Sequence, residues 1–303
     1  MSRIAYVNGR YLPHSQAMVH IEDRGYQFAD GVYEVCIVRG GVLIDETRHS
    51  RRLMRSLGEL DIRQPVHPSA LAVILREVIR RNRIEDGVVY LQVTRGVAPR
   101  NHPFPIPAVR PSLVVTARPA DAAAGDKAAE EGIAVITTPD IRWQRVDIKT
   151  VGLLANVLAK QKAKIAGAVE AWFVDGDGYV TEGSSTNAWI ITETGTLVTH
   201  AIDNSILRGV TRDVVLDLLA TEGLYVEERR FTVEEALAAR EAFVTSAGNL
   251  IMPVVRIDGR DIGTGKPGET ALKLRRLFFK HAEHSPRTRL GRPLANGKNI
   301  ADK

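Results

Sequence analysis

Short runs of β-branched and apolar residues, each closed by a glycine or asparagine turn signal, recur along this chain in two blocks. That pattern restricts the fold most, because such runs must pair into sheets and the intervening helices must cover their faces. The first block begins with Ala5–Leu12 around an Asn8-Gly9 hairpin turn, then Gly31–Val38 and Val42–Ile44 around Gly40-Gly41. Helices are predicted over Thr47–Leu60 and Ser69–Asn82, the second with Ser69 as N-cap and Leu71, Ile74, Leu75, Val78 and Ile79 on one face. Strands return at Val88–Thr94 and Ser112–Ala117, and the Ala/Asp/Gly/Glu-rich Arg118–Gly132 reads as a connection between the blocks.

The second block opens with a strand at Ile133–Thr137. Polar and apolar residues then alternate over Asp140–Thr150 as on a half-buried strand, and an apolar helical pattern runs from Val151 to about Ile165. Strands at Glu170–Val174 and Val180–Thr181 bracket the turn Asp175-Gly176-Asp177-Gly178, which has too few oxygen ligands for a calcium loop. Ala188–Thr192, Thr196–Thr199, Ala242–Thr245 and Val254–Ile257 read as strands, and Arg212–Glu222, Val233–Ala239 and Glu269–Ala282 as helices. The architecture expected is α+β. At 303 residues two domains are expected: a smaller N-terminal one over 1–120, a linker over 121–132 and a larger C-terminal one over 133–282.

The net charge of +5 does not point to nucleic acid. From His281 onward Arg287, Arg289, Arg292, Lys298 and Lys303 face only Glu283 and Asp302, so the tail holds +3 of it. The rest is nearly neutral, with no stripe of interleaved basic and aromatic residues. Residues 283–303 read as a basic, flexible extension. No run is long and apolar enough for a membrane span, and no signal-peptide core precedes Gln16. Cys36 is the one cysteine, which excludes an internal disulfide and makes the cytoplasm the default location. No metal set stands out.

Two features carry chemistry. Lys149 ends the alternating segment, just before an apolar helix. A lysine tucked there loses part of its hydration, which favours the free amine and makes it usable as a nucleophile. Glu182, in Val180-Thr181-Glu182-Gly183-Ser184-Ser185-Thr186-Asn187, puts a carboxylate on a Gly/Ser turn, placed to hydrogen-bond a cationic ring nitrogen. Taken alone, each has an ordinary reading, a solvated lysine and an exposed turn residue.

Together, Arg145–Thr150 and Val180–Asn187 resemble the fold-type-IV pyridoxal-phosphate (PLP) enzymes, and within them the D-amino-acid aminotransferases. The likeness runs from about Tyr6 to about Phe278 and includes Glu22–Val35, Val93–Pro105 and Ile206–Val215. It implies a two-domain fold of that type, with PLP as cofactor. Lys149 is then the Schiff-base lysine and Glu182 the partner of the pyridine nitrogen. Val210 and Thr211, at a predicted helix N-terminus, offer donors to the phosphate. Arg52 matches the family's phosphate arginine, while neighbouring Arg51 is solvated. Ser246 and Ala247 stand at a second phosphate contact where relatives commonly carry a threonine. Ala247 lacks that hydroxyl, so cofactor binding is expected to lose a bond of roughly 1.5–3 kcal/mol. Arg100 and His102, with Tyr33, correspond to the residues that grip the substrate α-carboxylate. Arg95 reads as a structural ion-pairing residue.

The resemblance implies a homodimer, since that Arg-x-His loop reaches over from the second subunit in relatives. The reaction expected is ping-pong transfer of the amino group from a D-amino acid such as D-alanine to a 2-oxo acid such as 2-oxoglutarate. Rivals with the same cofactor are an (R)-amine transaminase, a branched-chain aminotransferase and a 4-amino-4-deoxychorismate lyase. A rival of another class is a non-enzymatic protein whose basic tail docks on an acidic partner.

Overall fold

The computed structural model describes residues 3–286. Six strands form the first sheet: β1 (Ile4–Val7), β2 (Arg10–Pro13), β3 (Gly31–Arg39), β4 (Val42–Leu43), β5 (Gly87–Thr94) and β6 (Ser112–Pro119). They are ordered β2-β1-β6-β5-β3-β4 and every pair is antiparallel. Positive φ at Asn8 and Gly9, and at Gly40 and Gly41, makes the two tight hairpins that the turn signals predict. Helices α1 (Arg24–Phe28), α2 (Glu46–Glu59) and α3 (Pro68–Asn82) belong to the same half. The apolar faces of α2 and α3 close this sheet's core through Leu53, Leu57, Leu71, Leu75 and Val78. His67, not Ser69, caps α3: its Nδ1 accepts the Ser69 N–H at 3.3 Å, with Pro68 in the first turn.

The second half holds β7 (Ile133–Pro139), β8 (Glu170–Val174), β9 (Tyr179–Gly183), β10 (Asn187–Ile191), β11 (Leu197–Thr199), β12 (Val226–Glu228), β13 (Phe231–Thr232), β14 (Glu241–Ser246), β15 (Leu250–Ile257) and β16 (Arg260–Asp261). They form one ten-stranded sheet that mixes parallel pairs, such as β7 with β8, and antiparallel ones. Its helices are α4 (Ala122–Glu131), α5 (Leu154–Ile165), α6 (Val210–Thr221), α7 (Val233–Leu237) and α8 (Glu269–His281). Both faces of this sheet are buried. Along β10, Ala188 and Ile190 enter one core with Ala129 and Phe231, while Trp189 and Ile191 enter another with Leu218 and Phe278.

Four further expectations need correction. Asp140–Thr150 is not a strand. Asp140 turns back to accept the Arg142 N–H at 3.1 Å, and the alternating charges pair with each other and with the protein instead of facing water. Helix α5 starts at Leu154, later than the apolar pattern, and leaves Leu154 and Val157 72% and 59% exposed. The expected linker contains α4, capped by Asp121, with Ala129 buried in the second half's core. Finally, residues 283–286 of the expected flexible tail are tied down. Glu283 carboxylate oxygens accept from the Thr47 hydroxyl at 2.6 Å and its amide, and buried Ser285 donates its N–H to Leu43 O at 2.9 Å. Residues 287–303 lie outside the described residues.

Candidate active site

Elements of both halves enclose a cavity of about 890 Å³, a volume suited to a cofactor-sized ligand. Lys149, Glu182, Arg52, Tyr33, Val210, Thr211, Ser246, Ala247 and His102 all line it. The loop before α5 delivers Lys149 by binding the first sheet: Lys149 O accepts the Tyr33 N–H at 3.0 Å, and Val151 N–H donates to Gly31 O at 3.0 Å. The Ser56 hydroxyl accepts the Lys149 N–H at 3.3 Å. With the backbone pinned on two sides, the half-buried side chain brings Nζ to 3.3 Å from the Tyr33 hydroxyl. Tyr33 itself stacks on Tyr90 at 5.7 Å between centroids.

Glu182 sits near the end of β9, 5% exposed, and three donors converge on it. They are Arg142 Nη1 at 2.5 Å, Asn187 Nδ2 at 3.0 Å and the Leu207 N–H at 3.1 Å. Burial pushes its carboxyl up to about 7, against the pull of Arg142, the Leu207 amide and Lys149. A cationic ring N–H in front of it would complete its set of partners and favour the carboxylate. Arg142 escaped the sequence reading. It bridges Asp140 (2.7 Å) and Glu182, and its Nη2 also reaches Ser205 O at 3.1 Å. Its only signal was a nearby acidic partner, Asp140, two residues before it; Glu182 lies forty residues away, and a strand reading hides both. Glu170 was also missed: under the turn, its buried carboxylate takes the Ser184 hydroxyl, the Ser185 hydroxyl at 2.7 Å and Lys160 at 3.0 Å. That assigns both serines to shaping the turn.

A helix N-terminus also lines the cavity, near Glu182. Helix α6 begins at Val210, and its N-cap, Gly209, supplies no side-chain cap, so the first-turn amides keep their hydrogen-bonding capacity. A Cβ on Gly209 would collide with Asn187 Oδ1, whose amide nitrogen holds Glu182. The glycine thus lets the helix end approach the Glu182 side of the site. Arg52, on α2, is held by a fork to Glu34, Nε–Oε1 2.8 Å and Nη2–Oε2 2.7 Å, while Nη1 donates to Arg208 O at 3.1 Å. His49 also contacts Glu34, at 2.7 Å. Burial works to raise the Glu34 carboxyl, but Arg52 and His49 outweigh it and hold it at about 2. Arg51 is exposed. The Ser246 hydroxyl accepts the Asn249 N–H at 3.1 Å, and Ala247 presents no side-chain donor. An amine, a buried carboxylate and an anion-ready helix end in one cavity match the aldehyde, ring nitrogen and phosphate of PLP, so these residues fit that cofactor.

His102 lines the cavity, whereas Arg100 is outside its lining. Both pack on one ring: the Arg100 guanidinium lies 4.6 Å from the Phe28 centroid, and the His102 ring is 5.4 Å from it. Arg95 pairs with Asp30 at 2.7 Å, the structural role its position suggests. Among the described residues no group of three or more His, Cys, Asp or Glu is arranged to hold a metal ion. None of their helices is long and apolar enough to cross a membrane.

A lysine, a buried carboxylate and a helix N-terminus line one cavity, and the chain belongs to the amino-transferase class IV family, whose profile matches residues 31–257. Among its relatives, the D-alanine aminotransferase of Staphylococcus haemolyticus is 40% identical over 278 residues, covering 92% of this chain and 97% of that protein. The D-alanine aminotransferase of Bacillus licheniformis is 42% identical over 261 residues, covering 86% and 90%. A solved structure of a T.th. branched-chain amino acid aminotransferase with pyridoxamine 5′-phosphate aligns with a TM-score of 0.84 at 27% identity, over 92% of this chain and 94% of that one.

Proposed function

We propose that this chain is a cytoplasmic, PLP-dependent transaminase that moves the amino group of a D-amino acid such as D-alanine onto a 2-oxo acid such as 2-oxoglutarate. The observation that carries the reading is the convergence of Lys149, Glu182 and the α6 N-terminus on one cavity. Relatives about 40% identical over nearly their whole length, both D-alanine aminotransferases, support the substrate class.

Lys149 would hold the cofactor covalently, Glu182 its ring nitrogen, and Arg52, the Val210 and Thr211 amides and Ser246 its phosphate. When bound, the cofactor supplies an electron sink for loosening the bond between substrate Cα and its hydrogen. The freed Lys149 amine would take that proton and deliver it to the cofactor carbon within the same half-reaction, and carry a proton the reverse way in the second, a task helped by the Tyr33 hydroxyl 3.3 Å from Nζ. The Glu182 carboxylate holds a proton at the ring nitrogen, with Arg142 and Asn187 fixing its orientation. Arg100 and His102 bind the substrate α-carboxylate, and fixing that group leaves one enantiomer with its Cα–H toward Lys149.

The working unit in this reading is a homodimer. Met18, Ile21, Tyr26, Ile106, Leu154 and Val157 are between 59% and 97% exposed, apolar side chains that a second subunit would cover. In a second subunit's site the Arg100 loop would face substrate; within its own chain Arg100 is outside the cavity lining, although His102 and Phe104 of the same loop line it.

The test is steady-state kinetics with D-alanine and 2-oxoglutarate varied together, alongside L-leucine and (R)-1-phenylethylamine as donors. Parallel double-reciprocal lines with D-alanine support the proposal. A preference for L-leucine would move the branched-chain reading into its place, and a preference for the amine would do the same for the (R)-amine reading.

A further inference from the structure

Residues 99–111 form a long connection with little structure of its own. Five of its residues, Pro99, Pro103, Pro105, Pro107 and Pro111, have no N–H to donate. Among the described residues, no backbone-to-backbone hydrogen bond involves this stretch. Its shape must come from side chains.

Arg24 supplies it. This arginine is 3% exposed and donates to three successive carbonyls: Nη1 to Asn101 O at 2.6 Å and to Pro103 O at 3.4 Å, and Nη2 to His102 O at 3.1 Å. Its own mounting is rigid. Nε is paired to Asp30 at 2.8 Å, and the same carboxylate takes a fork from Arg95 at 2.7 and 3.0 Å. The Asp23 side chain caps α1 through the Gly25 N–H at 2.9 Å and accepts the Thr94 hydroxyl at 2.9 Å, which fixes α1 to β5. The planar guanidinium also lies 4.8 Å from the Phe28 ring that Arg100 and His102 share.

We propose that Arg24, which also lines the cavity, is the positioning residue of the Arg100-Asn101-His102 loop, and that substrate carboxylate affinity depends on it through that loop. The inference rests on the reading that this loop binds the α-carboxylate. A guanidinium fits the role because its planar fork spreads donors over three nitrogens and reaches several carbonyls at once, whereas an ammonium's three donors radiate from one atom.

The test uses the PLP-loaded enzyme and the variants Arg24→Met, Arg24→Lys, Arg100→Ala and Arg24→Met/Arg100→Ala. Two readouts are taken: the rate of tryptic cleavage after Arg100, and KM and kcat for D-alanine. The expected result for Arg24→Met is cleavage about tenfold faster at that bond, from local loosening of the loop. KM for D-alanine should rise about tenfold while kcat stays within about threefold, and the double variant should be no worse than Arg100→Ala alone, because the two residues act through one loop. Arg24→Lys should fall between wild type and Arg24→Met, and decides the matter if the methionine variant does not fold. Unchanged cleavage, a loss in kcat without KM, or additive losses in the double variant would overturn the proposal. If Arg100→Ala alone leaves KM at its wild-type value, the carboxylate reading of the loop is what fails, and the cleavage rate still decides whether Arg24 orders it.

Discussion

Replacing Glu34 by glutamine reaches the phosphate end of the site through the buried Glu34–His49–Arg52 cluster. The Glu34 carboxyl is fully buried and is held at about 2 against its ordinary 4.5. At 1.36 kcal/mol per pH unit, that difference corresponds to a contribution on the order of 3 kcal/mol near neutral pH. The folded value is the lower one, so the contribution is complete above about 4.5 and is lost as pH falls through 2. Glu34→Gln removes it and also leaves the Arg52 guanidinium without its counter-charge, a loss of about 3–5 kcal/mol for a broken buried pair. Urea denaturation of wild type and variant from pH 7 down to pH 2 is the assay. The gap should be several kcal/mol at pH 7 and close toward pH 2. A cofactor titration of the same variant should show weaker loading, since Arg52 loses the fork that orients it. A gap below about 0.5 kcal/mol at neutral pH, the usual size for a surface change, would refute the reasoning.

Lys149→Ala should abolish transamination with the fold intact, as the far-ultraviolet circular dichroism spectrum would record; near-wild-type turnover would remove this lysine from the mechanism. Glu182 is held up at about 7 in the cofactor-free chain, so the folded state binds its proton more tightly than the unfolded state. The stability it contributes is present below about 4.5 and is lost as pH rises through 7. Glu182→Gln should flatten that part of the denaturation profile of the cofactor-free protein, and an unchanged slope would place the titration elsewhere. A chain ending at Ala282 should be less stable than one ending at Pro286, because it lacks the bonds of Glu283 and Ser285 to Thr47, Asp45 and Leu43. At about 0.5–1.5 kcal/mol per bond, a loss of about 2–4 kcal/mol is expected, and equal thermal midpoints would contradict it.

The residues that the sequence brought forward were those whose chemistry is unusual for their surroundings. Lys149 before an apolar helix, Glu182 on a Gly/Ser turn and Gly209-Val210-Thr211 at a helix start all carry local signals, and all line one cavity. The strands and hairpins were legible for a similar reason, since Asn8-Gly9 and Gly40-Gly41 dictate their turns within two residues. What stayed hidden depends on partners far along the chain. Arg142 acquires its role only when Glu182, forty positions later, folds against it, and Arg24 only when the carbonyls of 101–103 arrive. The misread strand at Asp140–Thr150 has a local origin: its alternation is real, but Asp140 and Arg142, two residues apart, pair with each other rather than with water. Helix α4 was missed because a run of alanine with charge lacks the apolar stripe that marks a packed helix, and only Ala129 is buried.

The most direct measurement of the central claim is the initial rate of pyruvate formation from D-alanine and from L-alanine, each with saturating 2-oxoglutarate and the PLP-loaded wild-type protein. The proposed site holds the α-carboxylate on one side and Lys149 on the other, so it predicts turnover of D-alanine at least about a hundredfold faster than of L-alanine, a preference of roughly 2.7 kcal/mol. Equal rates, or faster turnover of the L enantiomer, would contradict the assignment of this chain to D-amino acids.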